Sequence, residues 1–317
     1  MNGWEAVTLE SRHLRVVVLP RKGAEIASLV DRASGVDVLL SVADGPRADD
    51  GTFHAAAGRY ADWFRGAWHV MLPNGDVPCE WDGVALEHGG ETWRRPFTVV
   101  ERDGRSVTLR ADLEALPLTL TRTLELDNKR PALAVNETLE NRGERPLKIV
   151  WGEHPMLGPP LLAPGARLEI GPASMRVDHL DATTRLVPGE YEWPHALLRG
   201  GGVDDLSVIG GPDDGRHELA LLHGLSDGRA ALVNDALDLG FELTFDPAVF
   251  DRLWVWLDYG GADEEPWQGL YAIGLEPVSG TRSVAESAAL GTGLALAPGE
   301  HRSTRVEART YRPSDAP

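Results

Sequence analysis

The chain has 317 residues, 42% of them hydrophobic and 25% charged, enough for one large soluble domain with a full core. Its net charge of −18, with only Lys22, Lys129 and Lys148 as lysines, excludes nucleic acid and anionic membrane surfaces as partners. The single cysteine, Cys79, excludes an internal disulfide and a cysteine metal cage.

No apolar run approaches the roughly 20 residues that span a bilayer. The opening MNGWEAVTLESRH has no basic stretch followed by an apolar one, so a cytoplasmic protein is expected. Taken in chain order, residues 6–10 and 13–19 read as strands, with a turn at Pro20-Arg21-Lys22-Gly23. Residues 24–31 and 36–40 continue the strand pattern, and the small, polar, glycine-rich residues 42–58 read as a loop. Residues 58–76 carry too many aromatics for a surface linker and too many Gly and Pro for a regular element. They are expected to form a long loop folded over one end of the sheets, where binding groups collect.

Further along, residues 118–126 alternate, with Leu118, Leu120, Leu124 and Leu126 inward and Arg122 interrupting that face. A turn at Asp127-Asn128 returns the chain through residues 132–139, as a hairpin would. Residues 147–150 form the next strand and lead into Trp151-Gly152-Glu153-His154-Pro155. Read with strand periodicity, 148–154 put Val150, Gly152 and His154 on one face and Ile149, Trp151 and Glu153 on the other. Residues 156–215 are rich in Pro and Gly, and only 167–170 reads as a strand there. Later strands are expected at 218–222, 229–233, 241–245, 253–257, 271–275 and 304–308, with a short helix at 284–290. About fifteen strands with turns every 8–12 residues predict an all-β sandwich or barrel, a single domain over residues 1–317.

Two stretches concentrate the chemistry. His154 lies on a strand face with Gly152, and Glu276 lies on one with Ala272 and Gly274, each titratable group kept clear by small neighbours. Converging, they would form an acid and a base. In residues 253–258, Leu253, Val255 and Leu257 face the core, while Trp254, Trp256 and Asp258 share the other side. Two indoles beside a carboxylate suit a sugar, whose C–H faces stack on the rings. The spacing His88-x-x-Glu91 is too loose to specify a metal, and no G-x-S-x-G or phosphate loop is present, so neither metal nor cofactor is expected.

These residues, taken in order, resemble the aldose 1-epimerase (galactose mutarotase) superfamily along nearly the whole chain. The similarity runs through VLPRKGAEIASLVDRASG (18–35), Arg65-Gly66-Ala67-Trp68, Leu72-Pro73-Asn74, His88-Gly89, Glu153-His154-Pro155, Leu275-Glu276-Pro277 and Leu296-Ala297-Pro298-Gly299-Glu300. The resemblance implies a galactose-mutarotase-type β-sandwich (a supersandwich) with a sugar pocket on one sheet face. It implies Glu276 as the base taking the anomeric O1 proton, and His154 as the acid protonating the ring oxygen. His88 would hold the ring oxygen or a hydroxyl, and Arg65 would contact sugar hydroxyls, with Arg59 a competing match. Asp258 stands in for the family's sugar-binding aspartate. The expected partner is a small-molecule sugar. Three rivals remain: a sugar-binding protein without catalysis, resting on Trp254, Trp256 and Trp63; a glycoside hydrolase or lyase pairing Glu153 or Asp258 with Glu276; and a structural domain that has kept only the fold.

Overall fold

The computed structural model describes residues 1–42, 44–178, 180 and 182–315. Two large antiparallel sheets face each other. The ten-stranded sheet runs Val7–Glu10, Leu14–Leu19, Glu25–Asp31, Trp68–Met71, Gly152–Leu157, Tyr271–Val278, Arg252–Tyr259, Arg216–His223, Ser174–Val177, Gly189–Glu192. The eight-stranded sheet runs Arg167–Ile170, Arg229–Asn234, Leu239–Phe245, His301–Tyr311, Ala132–Asn141, Leu118–Leu126, Ser106–Asp112, Thr98–Arg102. This is the all-β galactose-mutarotase-type sandwich that the strand pattern and the resemblance imply.

The alternation read from the sequence sets the layers. Leu253, Val255, Leu257, Ile273 and Leu275 join Leu120, Leu124, Val135 and Leu139 in the core between the sheets. The outer face of the ten-stranded sheet carries a second cluster, in which Leu40, Phe53, Tyr60, Trp63, Phe64 and Trp93 pack on Met156 and Ala272. Residues 53–64, with Leu40 and Trp93, therefore roof one half of that face and leave a hollow beside it.

Arg122 does not break its strand; it joins the layers. Its guanidinium is fully buried and donates to Glu137 Oε1 at 2.8 Å and to Glu153 Oε1 at 3.1 Å across the sandwich. The Nε1–H of Trp68 donates to Glu153 Oε2 at 2.5 Å, and that of Trp151 to Glu137 Oε2 at 3.1 Å. Glu153 thus occupies the core-facing side of the strand whose opposite side carries His154.

Several expectations change. Residues 68–71, expected inside a loop, form a strand in the middle of the larger sheet, buried on both faces and so lacking any polar alternation. Residues 36–40 make only single bridges at Asp37 and Leu39, because the Asp37 carboxylate takes the Leu29 and Leu39 N–H groups and the Ser28 hydroxyl. Residues 42–58 are irregular apart from a 3₁₀ turn at Phe53–Ala55, with position 43 outside the described residues. The described residues form 24 strands where about fifteen were expected; the excess is largely short pieces such as Cys79–Trp81, Ser174–Val177 and Val203–Asp205. The helix at Val284–Ala289 is present, with the Ser283 hydroxyl capping the Glu286 N–H.

Candidate active site

Strand register builds the floor of the hollow. Gly152 lies opposite Val278 and Met156 opposite Gly274, a pairing that sets His154 opposite Glu276. His69 lies opposite His154 on the other side, and Trp254 opposite Glu276. Residues directly opposite in an antiparallel pair share a face. His69, His154, Glu276 and Trp254 therefore form one row across four adjacent strands. His154 Nε2 stands 3.6 Å from Glu276 Oε1. Gly274 makes room for the carboxylate: a Cβ there would lie 2.3 Å from Glu276 Oε1.

Loops raise the walls of a cavity of about 270 Å³. Tyr60 and Phe64 come from the turn of helix Tyr60–Trp63 and the residue after it, and Trp256 and His217 come from the sheet. Trp267 and Glu264 come from the 260–270 loop. Asp76 and His88 enter from a loop knotted by buried Asn74, whose amide donates to the carbonyls of Val77 and Glu87. Arg282 closes the ring, donating to Asp76 Oδ2 through Nε at 2.9 Å and Nη2 at 2.6 Å. Gly75 permits that contact, since a Cβ there would meet the Arg282 carbonyl at 2.4 Å.

Burial dominates the electrostatics. It pushes the Glu276 carboxyl well above the usual carboxylate range, with Asp76 adding repulsion. It pulls His154 down to about 3 and holds His69 and His88 below the ordinary histidine value. The sequence suggests an ionised glutamate beside a protonated histidine; burial instead favours the proton on the carboxyl, because two neutral groups are cheaper to bury than an ion pair. Among the described residues, no group of three or more His, Cys, Asp and Glu side chains is arranged to hold a metal ion.

Residues 91–310, more than half of the chain, match the family described as Domain of unknown function (DUF4432). The chain belongs to that family. No curated protein matches the sequence. Among solved structures, the DUF4432 chain is similar to a galactose mutarotase related enzyme from Lactobacillus acidophilus at 15% identity and TM-score 0.68, covering 98% of this chain and 99% of the other. It is also similar to a galactose mutarotase-like protein from Lactobacillus casei ATCC 334 at 19% identity and TM-score 0.63, over 97% and 100%. A third, the protein Slr1438 from Synechocystis sp. PCC 6803, aligns at 17% identity and TM-score 0.71, over 97% and 96%. At these identities the likeness is one of fold.

Of the residues singled out in the sequence, His154, Glu276, His88, Trp254 and Trp256 line the same cavity. Arg65 and Asp258 are not among its lining residues. The Arg65 guanidinium donates to the neighbouring Phe64 carbonyl. Asp258 sits at the strand end, where Oδ1 accepts the Gly261 N–H at 3.1 Å and helps close the following turn. Arg59 pairs with Asp62 on the surface, and Trp63 is buried beneath Phe53 rather than open to the cavity. The arginine that does reach the cavity is Arg282. Asp76, Arg282, His217, Glu264 and Trp267 escaped sequence reading. Asp76 lies at the end of the 58–76 stretch expected to collect binding groups, and His217 shares by alternation a face with Leu219, which lies opposite Trp256.

The described residues include no helix long and apolar enough to cross a membrane.

Proposed function

We propose that this protein is a mutarotase of the aldose 1-epimerase type, interconverting the α and β anomers of a free sugar by general acid and base catalysis. The observation that carries the reading is the 3.6 Å approach of His154 to Glu276 on the floor of a cavity walled by three tryptophans. Glu276 takes the proton of the anomeric hydroxyl while His154 gives one to the ring oxygen. The C1–O5 bond breaks, the free aldehyde rotates about C1–C2, and closure with the proton transfers reversed yields the other anomer. No net proton is consumed, so one proton divided between the two groups suffices. Sugar hydroxyls donating to the Glu276 carboxylate favour its ionised form, and the ring oxygen accepting from His154 favours the imidazolium. Substrate thus draws the shared proton towards the imidazole.

Hydrolysis calls for a second carboxylate facing the first. Neither of the two carboxylate pairings read from the sequence for it forms, although Asp76 and Glu264 also line the cavity. Glu153 lies on the far face of its strand beneath Arg122, and Asp258 is engaged by the turn it closes.

The test is saturation-transfer NMR or polarimetry on a panel of neutral aldoses, with at least one expected to equilibrate faster than in buffer. If every sugar equilibrates at the buffer rate, the enzyme reading fails, and quenching of tryptophan fluorescence by a sugar would then mark a binding protein. The pH profile is a second check. The active free protein carries one proton on the pair, so adding another to His154 sets the acid limb. kcat/KM is expected to stay level as pH falls through 6.5 and to drop only towards about 3. It falls on the alkaline side as Glu276 passes its raised pKa and the pair loses its proton. An acid limb between pH 6 and 7 would contradict this arrangement.

A further inference from the structure

One member of the row, His69, and one wall residue, Tyr60, take no part in the proton transfers themselves. The His69 ring stacks on that of His154, with centroids 4.4 Å apart and planes inclined by 25°. The Tyr60 hydroxyl lies 2.7 Å from His69 Nε2. The Tyr60 ring, in turn, lies 4.7 Å from His88 at 31°. Tyr60 thus contacts one cavity histidine directly and a second through His69.

We infer that Tyr60 and His69 are positioning residues, which fix the ring plane and tautomer of His154 and the placement of His88. The inference rests on the mutarotase reading for its kinetic meaning, though its structural content stands on the stack itself. A buried strand position packed against aromatics is satisfied by a leucine; a histidine there costs free energy unless a partner is supplied. Tyr60 supplies it: with its hydroxyl as the donor, Nε2 accepts and the proton of His69 stands on Nδ1. The neutral ring then gives His154 a flat face to rest on, whereas a charged one would repel the imidazolium formed during catalysis.

The surroundings enforce neutrality. Lys22, ion-paired with Glu25, lines the small space behind His69 with Tyr60, and Arg122 lies beyond the sheet. His154 faces His69 from the neighbouring strand, and His88 acts on it from the loop wall. Apart from the Glu25 carboxylate, already paired with Lys22, these charged or protonatable groups are cationic when charged and oppose a proton on His69.

The test compares the full-length protein with Tyr60→Phe, which removes one hydroxyl, and with His69→Phe, which keeps a ring but no nitrogen. In nitrogen-15 spectra of the free protein, His69 is expected to show one neutral tautomer between pH 5 and 8, with Tyr60→Phe mixing the two forms and shifting the His154 signals. With a sugar that the wild type turns over, Tyr60→Phe is expected to lower kcat by about 10- to 100-fold at nearly constant KM, the scale of a misplaced catalytic group. His69→Phe is expected to keep the fold and to shift the His154 signals further. Unchanged His154 signals in both variants overturn the inference, even if melting temperature falls, because packing alone would then be at stake. A wild type inactive on every sugar sinks the mutarotase reading while the spectra still decide this one.

Discussion

Glu276→Gln is expected to slow anomer interconversion by about 10²- to 10⁴-fold, the usual worth of a positioned proton acceptor. The amide keeps the size and hydrogen-bonding reach of the carboxyl but takes no proton at neutral pH. Sugar affinity, followed by tryptophan fluorescence, should change by only a few fold. His154→Ala should cost a similar factor in rate. Stability gives the same variant an independent signature. Burial raises the pKa of Glu276 in the folded protein above its unfolded value, so between the two the folded state holds the extra proton. Stability then declines as pH rises through that window. Glutamine does not titrate, so Glu276→Gln should be at least as stable as the wild type on the alkaline side in urea unfolding. An active Glu276→Gln protein would remove the base from the proposal.

Arg122→Met is expected to cost about 3–5 kcal/mol of folding stability, the penalty for leaving buried charge without its partner. Two carboxylates, Glu137 and Glu153, would face each other across the core, with only the two indole N–H groups left to hold them. Glu137 already has its pKa pushed well up by burial and by the Glu153 charge, and it leans on the guanidinium to stay tolerable. Arg122→Met combined with Glu137→Gln and Glu153→Gln should recover most of the loss, since the amide oxygens still accept from Trp68 and Trp151 while no charge remains. Denaturant melts of the two variants decide the matter. A single variant within about 1 kcal/mol of wild type would show the cluster to be dispensable.

How much of this was legible depends on which physical signal each residue leaves. The facing of His154 and Glu276 came through because a strand's period of two sorts neighbours onto faces and glycine marked the crowded side. Arg122 was visible as an exception but not as a staple: Glu137 lies within the expected hairpin, but Glu153 sits 31 residues on in the opposite sheet, and the local pattern does not state what faces across the core. Trp68–Met71 left no period at all, being covered on both sides. The cavity arginine was misassigned for a related reason. Arg65 lies in an aromatic-rich loop, where composition draws attention, whereas Arg282 stands in a plain turn and owes its place to Asp76, 206 residues earlier. Asp258 follows Trp254 and Trp256 by alternation, but the strand ends there, and the turn claims its carboxylate.

The division of labour between sheet and loops has an evolutionary corollary. The distance between His154 and Glu276 is written into backbone ladders of the central strands, while the shape of the chamber is written into connections at residues 58–67, 74–90, 260–270 and 280–283. Insertions or exchanges in those connections retune which molecule enters without disturbing the reactive spacing. A fold built this way can keep its outline while most side chains differ, as it does at 15% and 19% identity.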